Sequence, residues 1–113
     1  MVQKENLTFK CADGISARRF VKITASTDSV AYPTAGGAAN AVTLGNEKGG
    51  VVAVQLLKDV TSSFFFDALG TIAIGDSVQA GTNGTGIKKV NGIELCKAKS
   101  SAISGSVGTG YNF

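Results

Sequence analysis

The sequence predicts an all-β protein, a compact β-barrel or β-sandwich of about nine or ten short strands with a flexible N-terminal arm. Three observations lead there. Glycine is frequent and proline nearly absent, 15 against 1 in 113 residues, which suits many tight turns and few long helices. Brief runs rich in Val, Ile and Thr, which fit a pleated half-buried surface, recur between Gly, Asn and Asp, which reverse the chain at low steric cost. Residues 71–86, TIAIGDSVQAGTNGTG, carry this grammar most fully. They read as a short strand with Ile72 and Ile74, a Gly75-Asp76 turn, a second strand with Val78 and Ala80 inward, and a glycine-rich connection.

At this length the chain makes one domain with a core of its own and falls short of two. It divides into an arm over residues 1–10 and a single β domain over residues 11–113. The arm, MVQKENLTFK, carries charges and one aromatic, Phe9, before any regular pattern begins. Asp13-Gly14 signals a turn. From Arg18 the chain alternates, with Arg19, Val21 and Ile23 on one face and Phe20, Lys22 and Thr24 on the other. Both faces are mixed, so one is expected on a core and the other on a subunit or partner. A short strand over residues 29–32 closes at Pro33, and TAGGAAN (34–40) follows as a small-residue loop. A brief strand over residues 41–44 and the turn-rich GNEKGG lead into VVAVQLL (51–57), apolar on both faces and therefore central.

In DVTSSFFFD (59–67) a strand directs Phe64 and Phe66 one way and Phe65 the other. A one-sided sheet cannot bury all three. Either the sheet is covered on both faces, or one face meets another chain. After residues 71–86 come a strand over 87–90, a two-residue hairpin signal at Asn91-Gly92, and a partner strand over 93–98. A small-residue loop over 100–105 precedes VGTGYNF, a final edge strand with Tyr111 and Phe113 on one face. No repeat at a fixed period is visible.

The chemistry is defined mostly by exclusion. With no histidine there is no Ser-His-Asp or Cys-His nucleophile system and no Cys/His zinc site within one subunit. Cys11 and Cys96 stand far apart without a CxxC, leaving open two buried reduced thiols or a disulfide between an early and a late strand. The eight carboxylates are scattered singly, mostly beside turns. GTNGTGIKK (81–89) superficially suggests a phosphate cradle, but Ile87 stands where a P-loop needs lysine, and the context is strand. No alternating acids form a calcium loop. The expectation is a protein that is not an enzyme and takes no cofactor or metal. Net charge is +3, with Arg18-Arg19 and Lys88-Lys89 as the basic doublets, so no direct nucleic-acid partner is expected. No apolar run approaches the roughly 18 residues of a membrane span, and the polar N-terminus lacks the apolar core of a signal peptide. A soluble protein made in a cytoplasm is the expectation.

The order of motifs carries a resemblance. RFVKIT (19–24), GGVVAVQLL (49–57), IAIGDSVQAG (72–81) and GIELCKAKSSAISG (92–105) together resemble the small decoration, or capsid-cement, proteins of tailed-phage heads. The resemblance spans residues 6–113 and departs from the family pattern at DVTSSFFFD, which is more aromatic. It implies a virion component on the outer capsid surface, a homotrimer at local three-fold positions bridging neighbouring copies of the major capsid protein. Binding only the assembled shell, such a protein stabilises it by mass action. On that reading Lys4, Leu7, Phe9 and Lys10 of the arm would add to a capsid strand by edge pairing, the alternative being an arm with no role. Arg18 and Arg19 would be further contacts, or else a solvated pair beside a turn, and Phe64, Phe65 and Phe66 would supply an apolar capsid or oligomer contact. Two other classes compete: the base of a head fibre or another small phage structural part, and a non-viral β-barrel binding oligonucleotide or carbohydrate. The latter would want exposed aromatics interleaved with basic residues on one strand face, and Phe64–Phe66 have no basic neighbour in sequence closer than Lys58.

Overall fold

The computed structural model describes residues 6–11, 14–24, 26–27, 29–57 and 63–111. Among them the regular structure is ten strands and one 3₁₀ turn at Thr82–Gly84. The first five strands are β1 (Asn6–Cys11), β2 (Phe20–Thr24), β3 (Ser29–Ala31), β4 (Ala41–Thr43) and β5 (Val51–Leu56). They close into a barrel in the order β1-β3-β2-β4-β5. The second five are β6 (Phe64–Asp67), β7 (Ser77–Ala80), β8 (Gly86–Lys88), β9 (Cys96–Ala98) and β10 (Val107–Tyr111), in a sheet ordered β6-β10-β9-β7-β8. A parallel bridge between Ala68 and Gly86 brings the two outer strands of that sheet toward each other. The all-β expectation holds, and the architecture is a barrel with a curled sheet packed on it.

The arm expected over residues 1–10 is corrected from Asn6 onward. Residues Asn6 to Lys10 pair antiparallel with β5, Asn6 opposite Gln55 and Lys10 opposite Val51, while Lys10 and Cys11 pair parallel with β3. The apolar position Phe9 packs against the barrel core. The pairing partner lies more than forty residues downstream, so nothing local in the polar N-terminal sequence marks it as a strand.

The mixed faces of β2 now have their explanation. Phe20 and Val21 are both fully buried although they point opposite ways. Val21 joins Val30, Ala41, Val52 and Val54 inside the barrel. Phe20 and Val42 face the second sheet, where they meet Phe64, Phe66, Ile72, Val78 and Cys96 in a separate core. The second face of β2 is thus covered at Phe20 by the protein's own second sheet. The Phe20 ring stands edge-on to Phe64 at 6.2 Å between centroids and tilted against Phe66 at 5.3 Å. Each such buried ring contributes on the order of 1.5–3 kcal/mol.

Two turns of the second sheet are copies of one another, although no repeat is evident in the sequence at large. Ala73 to Asp76 and Ile103 to Ser106 each close with a backbone hydrogen bond, Asp76 N to Ala73 O and Ser106 N to Ile103 O, both 3.0 Å. In each the last side chain accepts from the first amide: Ala73 N to Asp76 Oδ2 at 2.9 Å, Ile103 N to Ser106 Oγ at 3.0 Å. Gly75 and Gly105 supply the positive φ, 85° and 86°, that such turns demand at their third position. The copies are tied to each other by reciprocal bonds between Ile72 and Ala102, 2.9 and 2.8 Å. The strand expected to hold both Ile72 and Ile74 is reduced to the Ile72 bridge, and Ile74 is exposed.

The Asn91-Gly92 hairpin does not form. β7 lies between β8 and β9, pairing antiparallel with each, so the chain leaving β8 must cross over to reach β9. Neither Asn91 nor Gly92 takes the positive φ of a two-residue hairpin turn. The buried Gln79 holds the crossover instead, its Oε1 accepting from Val90 N at 2.9 Å and Gly92 N at 2.8 Å. The final strand is likewise no edge: β10 is paired with β6 on one side and β9 on the other, and Phe113 lies outside the described residues.

The alternation in β6 gives a direct check. Phe66→Ala should cost about 3–5 kcal/mol in urea unfolding, enough to threaten folding, because it empties the inter-sheet core. Phe65→Ser, on the opposite face, should stay within about 0.5 kcal/mol of wild type.

Candidate interaction site at the barrel–sheet junction

The nine residues singled out in the sequence scatter. Lys4 lies outside the described residues, Leu7 and Phe9 belong to β1, and Lys10 is exposed at its end. Phe64 and Phe66 are 2% and 0% exposed, so as contact residues they are corrected: their side chains are interior to this chain. Arg18, Arg19 and Phe65 are brought together.

The loop before β2 makes this possible. Arg18 N donates to Thr43 O at 3.0 Å, Asp67 N donates to Arg18 O at 2.8 Å, and Thr43 N donates to Arg19 O at 2.9 Å. Arg19 N also donates to Thr43 Oγ1 at 3.0 Å. These bonds tie the loop to the end of β4 and to β6, at the junction of barrel and sheet. Arg18 is held at φ 58°, a left-handed conformation that costs a residue with a Cβ about 1 kcal/mol. In extended chain, successive side chains point apart. The left-handed residue breaks that alternation, and both guanidinium groups reach Asp67: Arg18 Nε to Oδ1 at 2.9 Å and Arg19 Nε to Oδ2 at 3.0 Å. Arg19 Nη1 donates further to Asn83 O at 3.0 Å, fixing its side chain across the 3₁₀ turn.

Beside this group lies an apolar shelf. Phe65 is 60% exposed and Leu44 41% exposed, and with Arg18, Thr43, Gln55 and Ser63 they line a cavity of about 210 Å³. Register puts Thr109 beside Phe65 and Val107 beside Asp67 on the same outer face. Asp67, Thr43, Leu44 and Gln55 were not singled out by sequence reasoning. The available signal was that Phe65 and Asp67 share a strand face; nothing in the sequence joined that face to the Arg18 loop.

Among the described residues the other carboxylates hold turns and ion pairs. Each described carboxylate is committed: Glu47 accepts from Gly50 N at 2.7 Å, Asp76 from Ala73 N, Asp67 from both arginines, and Glu94 from Ser77 Oγ and Lys97 Nζ. Those bonds hold the Glu94 carboxyl below its usual range, the Ser77 bond first, then Lys97. The GTNGTG segment is the β7–β8 connection, with Gly81 N donating to Thr85 O at 2.7 Å. The backbone of Gly84 packs on Phe20 O, where a Cβ would collide. No disulfide joins Cys11 and Cys96: Cys11 lies beside the barrel core and Cys96 in the inter-sheet core. Burial, reinforced by the Glu94 charge, pushes the Cys96 thiol up from 9.0 to about 12.

The whole β arrangement has a known counterpart. The chain is similar to the crystal structure of the head fiber gp8.5 N base of bacteriophage phi29, with a TM-score of 0.78. The match covers 96% of this chain and 92% of that one at 16% identity, a likeness of fold. No protein-family model and no curated protein sequence matches the chain.

Two outcomes follow. Arg18→Gly, which relieves the left-handed residue, should be about 1 kcal/mol more stable than Arg18→Ala by urea denaturation, since both lose the same ion pair. Cys96 should resist thiol reagents in the native protein at neutral pH and react on unfolding. Its folded value is raised, so its contribution is intact below pH 9.0 and is lost as pH rises toward about 12, where the unfolded thiol ionises first. Cys96→Ala should therefore remove part of the alkaline fall in the urea midpoint.

Proposed function

We propose that this protein is a structural, non-catalytic component of a phage head. In this reading it attaches to the outer surface of the shell as a homotrimer and bridges neighbouring major capsid subunits. The observation that carries the reading is the match of nearly the whole chain, barrel and second sheet together, to a phage head-fibre base domain. The motif order over residues 6–113 supports it from the sequence side. The described carboxylates hold turns or cations, which is compatible with a structural part. Many weak copies that bind only the assembled shell raise its stability by mass action, and multivalent contact amplifies each trimer's hold.

A second reading has a specific observation in its favour. Because the matched domain is a fibre base, this chain could equally be the base on which a head fibre stands. Density ending at the domain in electron micrographs of decorated heads marks a cement protein, and density continuing outward marks a fibre base.

The deciding experiment is co-sedimentation of the purified protein with expanded, undecorated heads of its phage, alongside its mass by light scattering. Saturable binding at a fixed ratio to the shell subunit, with heads then surviving harsher heat, is the expected result. Absence of binding to every head form overturns the reading.

A further inference from the structure

We propose that the Arg18–Asp67–Arg19 group and the Phe65–Leu44 shelf dock an acidic segment of another protein chain, in which an Asp or Glu stands beside an apolar residue. The proposal rests on reading the molecule as a module that attaches to other proteins, and it names the chemistry that the attachment site recognises.

The charge is unbalanced in a useful way. Two guanidinium groups share one carboxylate, each through its Nε, so the group keeps one net positive charge. The Arg19 side chain is anchored by Asn83 and is 23% exposed. That of Arg18 is 46% exposed, and among the described residues no acceptor is bonded to its Nη1 or Nη2. Asp67 therefore fixes the orientation of a planar fork whose outer N–H groups are left to face a visitor. Such a fork matches a carboxylate in geometry and charge. Holding it there requires Arg18 at a positive φ, an expense of strain that elsewhere marks ligand clamps.

The neighbouring surface sets the rest of the ligand. Phe65 and Leu44 present apolar area directly beside the guanidinium, and Thr43, Gln55 and Ser63 complete the 210 Å³ cavity with neutral groups. A cation next to an apolar hollow asks for an anion next to an apolar side chain. A nucleic-acid backbone would instead need a row of cations to match successive phosphates, and among the described residues this cleft is lined by Arg18 alone, with Arg19 beside it on Asp67.

The test titrates the ¹⁵N-labelled full chain with a terminally blocked peptide of alternating Leu and Asp, the same peptide with Asn for Asp, and inorganic polyphosphate. The acidic peptide should move the amide signals of Arg18, Thr43, Leu44, Phe65 and Asp67, and should bind at least about tenfold more tightly than the Asn peptide. Added salt should weaken it. Arg18→Gly removes the fork while relieving the backbone, and Phe65→Ser removes the shelf; each should keep the native spectrum and lose those shifts. The proposal is overturned if the acidic peptide moves no signals or signals elsewhere, if the Asn peptide binds equally, or if polyphosphate binds more tightly at this site. It is also overturned if the wild type self-associates in solution and Arg18→Gly or Phe65→Ser returns it to monomer, which would make the cleft a contact between copies. If wild type and both variants sediment alike with heads, the head reading survives and this one falls. If the peptide docks in the cleft while no head form binds the protein, this one survives and the head reading falls.

Discussion

The packing of the Phe66 ring on bare backbone is the constraint from which most of this molecule follows. The ring lies against strands β8 and β10 at glycines: a Cβ at Gly108 would stand 2.7 Å from Phe66 Cζ, and one at Gly86 would overlap the same ring. Gly110 performs the same service for Phe64, where a Cβ would come within 2.9 Å of Cε1. These glycines give up side-chain burial of their own so that two aromatic rings can reach Phe20 across the interface. Overpacking by one methyl there would force the rings or the backbone to shift, at a cost of about 1–3 kcal/mol. The glycine richness of the C-terminal half is therefore largely a packing requirement, in addition to its role in the Gly75 and Gly105 turns.

That seam also locates the surface chemistry. With Phe64 and Phe66 committed inward, strand alternation forces Phe65 and Asp67 outward on the same face. The register of β6 then delivers Asp67 to the loop carrying Arg18 and Arg19, and the backbone bond from Asp67 N to Arg18 O locks the two together. The exposed aromatic and the arginine pair are consequences of one packing decision. A change in the core that shifted β6 by one residue would bury Asp67 and expose Phe66, dismantling the cleft and the seam together.

The sequence made the local terms legible and left the non-local ones hidden. Alternation in 20–24 and in the Phe triplet separated the faces, while at Arg18 and Arg19 the left-handed residue broke the expected alternation; Val78 and Ala80 are inward as their spacing implies. Turn chemistry named Gly75-Asp76. It failed at Asn91-Gly92, where Gly92 serves close approach to Gly36 while β7 intervenes between the presumed partners. β1 was missed because its apolar support comes from β5, far along the chain. The duplicated turn is not legible in the sequence because its shared content is small: a glycine of positive φ and an oxygen-bearing side chain after it, Asp76 in one copy and Ser106 in the other. The Arg18 fork depends on a backbone conformation that arginine rarely adopts, which no propensity argument anticipates.

The closure of the first sheet and the near-closure of the second have a consequence for how the protein behaves in a crowd. A row of unpaired strand amides and carbonyls is a template for intermolecular pairing, and proteins with long free strands at a sheet boundary are prone to aggregate. Here the barrel consumes its own boundary, and the outer strands of the second sheet, β6 and β8, offer four and three residues and are bridged at Ala68 and Gly86. Among the described residues little strand edge is therefore left on which one copy could template another. Association through the described surface is accordingly left mostly to side chains, whose contacts can be specific and finite.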